Sequence, residues 1–219
     1  MGYGFKVELW GNAALFSRPE LKAERCSYDM ITASAARGIL EAVFWHPGLR
    51  WRIDRIHVLN PIRFANVRRN EVKSKLSARN AKQAMEGADR VLFISTKDDI
   101  QQRASMILTD VRYLVEAHFE LTKQAAPTDN ADKFYAIARR RFTNGQCYAM
   151  PYFGCREFPA NFRLLEEEEM PRSCMEGERD LGFMLYDLDY SDPADIRPVF
   201  IRAVLHDGIL DLRECEVHQ

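Results

Sequence analysis

Between Phe44 and Pro47 the chain crowds a phenylalanine, a tryptophan, a histidine and a proline into consecutive positions. They end a stretch of helical periodicity: Ile39, Leu40, Val43 and Phe44 recur at three- and four-residue steps, with Ser34 placed to cap and Pro47-Gly48 to stop. Arg37 lies on that helix. An imidazole at such a corner, beside an indole, is the first place to look for chemistry. Lys133 is the second. It falls in the first turn of a helix predicted over Ala131 to Thr143, the end where the helix dipole disfavours a cation, and that misfit marks it as functional. The third feature is electrostatic. From Arg63 to Lys82, Arg63, Arg68, Arg69, Lys73, Lys75, Arg79 and Lys82 face the single acid Glu71. A concentrated basic arm on a chain of net charge −1 is the footprint of a nucleic-acid binder. Arg139, Arg140 and Arg141, at the end of the second helix, extend that surface.

The elements that must position these residues alternate. With 219 residues, 47% of them hydrophobic, the chain holds one large domain or two small ones. The five cysteines have no metal-ligand spacing and no CxxC, and their odd number suits a reducing cytoplasm. No His/Cys/Asp cluster has metal spacing, no phosphate-binding glycine motif occurs, and no cofactor is expected. The N-terminus lacks the pattern of a signal peptide, and no apolar run approaches the roughly 20 residues that cross a bilayer. The expectation is a cytoplasmic protein without a membrane partner.

Phe5 to Trp10 alternates apolar and polar and reads as a half-buried strand; Leu15 to Thr32 reads as a loop crossing the surface. After the first helix comes a strand with Trp51, Ile53, Ile56, Val58 and Leu59. The basic segment reads as a projecting loop or arm. Val91 to Ser95 reads as a short strand, and Ala104 to Leu108 as a strand or turn. Val111 to Leu121 reads as a central antiparallel strand, with His118 on its wetted face. Asn130 or Asp129 caps the second helix, Phe134, Ile137, Ala138 and Phe142 form its buried stripe, and Asn144-Gly145 closes it. Gln146 to Phe153 can supply the last strand of a βαββαβ unit, ferredoxin-like or RRM-like. The charge then inverts. Glu166 to Glu169 open an acidic, β-rich C-terminal part, with strands near Phe183 to Tyr190, Pro198 to Leu205 and Gly208 to Leu212.

GILEAVFWHP, HVLNPIRFANVRRNE, YLVEAHFEL and FGCREFPANF, in that order and spacing, resemble the CRISPR-associated Cas-five family, in its type I-C (Dvulg) branch, over nearly the whole chain. The resemblance implies an α+β fold of the RAMP type. Residues 1–160 form an RRM-like (ferredoxin-like) RNA-binding domain with its basic arm, and residues 161–219 a small antiparallel β-sheet domain. It implies an endoribonuclease that cuts the precursor CRISPR RNA at its repeat hairpin without a metal ion and stays on the 5′ handle as a Cascade subunit, alongside the backbone and large subunits. RNA contact then falls to Arg37, Arg63, Arg68, Arg69, Lys73, Lys75, Arg139, Arg140 and Arg156. The basic arm also makes double-stranded DNA a candidate partner.

Metal-free cleavage uses the substrate's own 2′-hydroxyl and leaves a 2′,3′-cyclic phosphate. It calls for a base, a cation at the phosphate and an acid for the departing 5′-oxygen. The family's catalytic Tyr, Lys and His fall by position on Phe44, Lys133 and Phe134. Only Lys133 keeps its chemical type, since phenylalanine transfers no proton. The neighbouring candidates for replacement are His46, His118 and Tyr135. Two readings follow: a repeat-selective ribonuclease, or a Cascade subunit that binds the 5′ handle without cutting.

Overall fold

A computed structural model describes residues 4–21, 24–88, 92–166, 170–213 and 215–218. Its strands and helices, in chain order, are β1 (Phe5–Ala14), β2 (Arg25–Cys26), α1 (Ala33–Val43), β3 (Leu49–Val58), β4 (Phe64–Val72), α2 (Ala78–Met85), β5 (Ile100–Leu121), α3 (Ala131–Thr143), β6 (Asn161–Leu164), β7 (Glu178–Asp189), β8 (Arg197–His206), β9 (Ile209–Asp211) and β10 (Val217–His218). The protein is a mixed α/β molecule with a large antiparallel sheet and few helices.

β5 is the spine. β1 pairs with it from Phe5–Ala117 to Ala14–Leu108, and β3 from Leu49–Leu121 to Val58–Tyr113, with a bulge at Asp54. β6 adds to β1, giving the order β3-β5-β1-β6, all antiparallel. α1 and α3 cover one face of these strands. There Phe5, Trp51 and Phe119 meet Phe134 and Phe142 in edge-on or tilted aromatic contacts with ring centres 5.8–6.4 Å apart. Burying rings of this size stabilises by about 1.5–3 kcal/mol each. On the other face Leu114 packs with Leu59 and Leu165.

α3 has the limits and the cap that its sequence dictates. The Asn130 side chain accepts from the Lys133 amide at 2.8 Å, and Phe134, Ala138 and Phe142 are buried. α1 is capped two residues earlier than expected. Thr32, extended, accepts from the Ala35 amide at 3.2 Å, and Ser34 falls inside the first turn. The predicted hairpin turn at His206 to Gly208 forms, with positive φ at Asp207 and Gly208.

Several expectations are corrected. Leu15 to Thr32 does not merely cross the surface: Leu15, Phe16, Tyr28, Met30 and Ile31 are buried, and β2 pairs parallel with β5. The basic segment from Arg63 to Lys82 is not one loop: Phe64 to Val72 form β4, hydrogen-bonded to β5 from Phe64–Leu108 to Val72–Ile100, and Arg79 and Lys82 lie on α2. This ribbon runs on past the last β1 pair, Ala14–Leu108, so it extends beyond the body of the sheet. Its two faces differ only between half-buried and exposed, which hid the period of two. The two elements expected at Ala104 to Leu108 and Val111 to Leu121 are one 22-residue strand, with the left-handed Asp110 (φ 52°) inside it. Residues 92–95 form no strand, and Val91 lies outside the described residues. Gln146 to Phe153 supplies no strand either. Pro151 has no amide to donate to a ladder, and the Tyr148 and Ala149 amides turn to the Ala42 carbonyl. β6 takes that place at the sheet edge. β7, β8, β9 and β10 continue the same sheet, because β9 pairs with β3 at Arg55 to His57.

Candidate functional site

The corner sought in the sequence forms where the end of α1, the start of β3 and the N-terminus of α3 converge. Phe44 terminates α1 in extended backbone, its amide still bonded to the Leu40 carbonyl, and its own carbonyl takes the Trp51 indole N–H at 2.8 Å. Phe44 (5% exposed) and Phe134 (1%) pack edge to face at 6.0 Å. Arg141, from the far end of α3, donates to the Val43 carbonyl at 2.8 Å and lies over the Phe44 ring at 5.2 Å. The floor of the corner is therefore apolar and locked.

Polar groups sit above it. His46 packs tilted against Phe134, with ring centres 4.9 Å apart. Its Nδ1 accepts from the Gly48 amide at 3.0 Å and stands 3.9 Å from a carboxylate oxygen of Asp129. The other Asp129 oxygen takes Lys133 Nζ at 2.8 Å, one helical turn on. Asp129, only 3% exposed in its side chain, also accepts from the Ala126 amide at 2.9 Å. The bond from Lys133, then that from Ala126, holds its carboxyl below the usual aspartate range, so it stays a carboxylate. Gly48 is required here. A Cβ would come within 2.8 Å of Ala125 Cα and 3.1 Å of His46 Nδ1, because Thr122 ties the 122–126 turn to Pro47 and Gly48.

This geometry fixes what His46 can do. With the Gly48 N–H on Nδ1, the neutral ring carries its proton on Nε2. The ring presents a donor, not the vacant lone pair that a general base needs, and this differs from the sequence expectation of a base. Lys133 presents an ammonium beside it. An ammonium and an imidazole N–H over an apolar floor suit an oxyanion such as a phosphodiester. The sequence marks Asp129 only as a possible cap; its i, i+4 spacing to Lys133 is the signal for more.

The other candidates lie apart. His118 is on the opposite face of the sheet from Phe119, which touches Phe134; its Nδ1 is 2.9 Å from both oxygens of Asp54. Tyr135 packs its ring 5.1 Å from Phe5. Arg37 is committed to Asp187 in a two-point ion pair, and to Glu41 at 3.4 Å, so it clamps α1 to β7 rather than facing outward. Arg69 turns to Glu157 and lies 5.5 Å over the Phe158 ring. Arg63, Arg68, Lys73 and Lys75 are exposed along the ribbon, as are Arg140 and Arg156 elsewhere. Arg139 faces Glu166 at 3.8 Å; Glu167 to Glu169 lie outside the described residues.

Residues 4–213 match the Cas5d family model, described as "CRISPR-associated protein (Cas_Cas5)". The chain belongs to this family. It is 44% identical over 217 residues to a "CRISPR pre-crRNA endoribonuclease Cas5d" of Mannheimia succiniciproducens, covering 97% of this chain and 96% of that one. A protein of the same description from Thermus thermophilus is 42% identical over 189 residues, covering 86% and 75%. Among solved structures, one described as a CRISPR-associated protein superposes with a TM-score of 0.71 at 22% identity, over 99% of this chain and 96% of that one. A functionally uncharacterized protein from Streptococcus mutans gives 0.70 at 22%, over 99% and 97%. At that identity these two speak for the fold alone. The family assignment therefore rests on the sequence matches, which cover nearly every element described above.

Proposed function

We propose that this protein is a CRISPR precursor-RNA endoribonuclease of the type I-C branch, cutting without a metal ion and remaining on the guide as a Cascade subunit. The observation that carries the reading is the Lys133–Asp129–His46 cluster, in a chain 44% identical to a relative named for that activity. The partners it calls for are the repeat hairpin and the other type I-C subunits, in the cytoplasm, with double-stranded DNA a further candidate for the ribbon. Among the described residues no helix is long and apolar enough to cross a membrane.

In this reading the 2′-oxygen attacks the adjacent phosphorus, the bond to the 5′-oxygen breaks, and a 2′,3′-cyclic phosphate and a 5′-hydroxyl result. Lys133, held by Asp129, and the Nε2–H of His46, held by the Gly48 amide, bind the non-bridging oxygens as charge grows on them. The 2′-hydroxyl proton passes to solvent and the 5′-oxygen takes a proton from water. His118, across the sheet, cannot reach a phosphate held at Lys133. The domain layout belongs to the same proposal. The order β6-β1-β5-β3, with α1 and α3 as crossovers, is what an RRM-like unit requires, and β7 to β10 would be its C-terminal extension.

The test is single-turnover cleavage of repeat RNA in EDTA, with the product ends analysed. Cleavage to a cyclic phosphate is expected. A specific observation favours a second reading: Phe44 and Phe134, at the positions of the family's Tyr and His, are buried against each other. Tight repeat binding without cleavage would make the protein a guide-capping subunit.

A further inference from the structure

Beside the corner, α1 and the segment from Tyr148 to Arg156 enclose a groove of about 580 Å³, within the range of small-ligand pockets. Its floor is the stripe Ser34, Gly38 and Ala42, whose small side chains leave space along the helix. Its walls are aromatic and uncovered: Trp45 is 60% exposed and Tyr148 87%, with Tyr152 beyond them. The groove adjoins the candidate site at the end of α1, through Trp45. Trp45 lies between Phe44 and His46 in the chain, and the Tyr148 and Ala149 amides are tied to the Ala42 carbonyl at 2.8 and 3.2 Å, on the last turn of α1. Arg156 stands among the lining residues as a cation for an adjoining phosphate, whereas Glu41, also on the wall, would repel a phosphate that entered the groove itself. Arg37 holds that carboxylate at 3.4 Å.

We propose that this groove takes one unpaired nucleobase of the RNA whose phosphate lies at Lys133, with Trp45 or Tyr148 stacking on it and Arg156 meeting the neighbouring phosphate. The proposal rests on the RNA-cleavage reading above and names the part of the substrate that reading leaves unplaced. Uncharged, flat and apolar on its faces, a base matches exposed aromatic walls beside a carboxylate, as a phosphate does not. Single-stranded RNA is held in this way, by bases splayed out onto aromatic side chains. A base anchored here would fix the chain in line with the corner and so set which phosphodiester is cut.

The experiment uses the whole protein and a repeat RNA with a 2′-deoxy nucleotide at the cleavage junction, which cannot be cut. At least one of Trp45→Ala and Tyr148→Ala is expected to weaken binding about 5- to 150-fold, the range of one base–aromatic stack. Tyr148→Phe, which keeps the ring, is expected to bind like wild type, and the salt dependence of all three should keep its slope. A series of the same RNA carrying one abasic nucleotide, moved along both sides of the junction, locates the base. One abasic position should cost wild type a similar factor and cost the deficient alanine variant nothing further. Alanine variants that bind within twofold of wild type, or abasic penalties that all persist in them, overturn the proposal. So does a loss of assembly with co-expressed Cascade subunits at unchanged RNA affinity, which would make the groove a protein-docking surface. The cleavage reading fails separately, when 2′-hydroxyl RNA is bound tightly by wild type but never cut.

Discussion

Lys133→Ala removes the only candidate catalytic group that combines the family's chemical type with an exposed position at the corner. Its ammonium is 2.8 Å from Asp129 and nearly half exposed, so the ion pair itself adds little to stability. What the variant loses is a preorganised cation beside a locked apolar floor. Removing one such donor from an oxyanion site costs about 10²- to 10³-fold in rate. The assay is single-turnover cleavage of repeat RNA in EDTA, with affinity measured in parallel on the uncuttable RNA. A drop of about 10²-fold in rate with less than about threefold change in affinity is expected, because an interaction made chiefly in the transition state behaves in this way. Asp129→Asn supplies the second arm. It releases Lys133, so it should also slow cleavage, but by much less in the Lys133→Ala background, where the group it positions is already gone. Unchanged cleavage by Lys133→Ala, or strictly additive losses in the double variant, would refute the cluster as the source of catalysis. The pH profile discriminates further. With no protein base, the rate should keep rising through pH 8; a plateau above neutrality would restore a histidine base.

Three further outcomes follow from the same geometry. Replacing Arg68, Lys73 and Lys75 by alanine should lower the log–log salt slope of RNA binding by about 0.7 for each phosphate no longer neutralised, while Arg69→Ala should change it least, since that side chain is turned to Glu157; salt titrations of affinity decide this. Gly48→Ala should push Ala125 or the His46 ring from its place, and it should slow cleavage more than it weakens RNA binding, as paired rate and affinity measurements would show. Glu8→Gln should destabilise by about 1–3 kcal/mol by urea unfolding, because that buried carboxylate joins Arg112 to Arg163. Burial raises the Glu8 pKa, but the bonds from Arg163 and Arg112 outweigh it and the net direction is down. The stability it lends is therefore complete above the ordinary glutamate range and lost as pH falls through its lowered value, so the gap between wild type and Glu8→Gln should shrink in acid.

What could be read in the sequence followed local chemistry. α3 came out with its cap and its closing Asn-Gly because both depend on neighbours within four residues. β4 stayed hidden because neither of its faces meets the core: Ala65, Val67, Arg69 and Glu71 share one side, and an alternation of half-buried with exposed leaves no hydrophobic period to detect. The edge strand was misplaced for the opposite reason. Gln146 to Phe153 has strand-like residues, but long-range bonds to Ala42 and Leu15 claim its backbone, and no local pattern announces them. The site divides along the same line. Lys133 was legible from its misfit with the helix dipole; Asp129 was marked only as a possible cap. The orientation of His46 was not, because it depends on one amide bond to Gly48, and that in turn on a turn some 75 residues away that permits no Cβ at residue 48. A base and a donor have the same letter in a sequence; which of them this imidazole is depends on the nitrogen that the fold has already occupied.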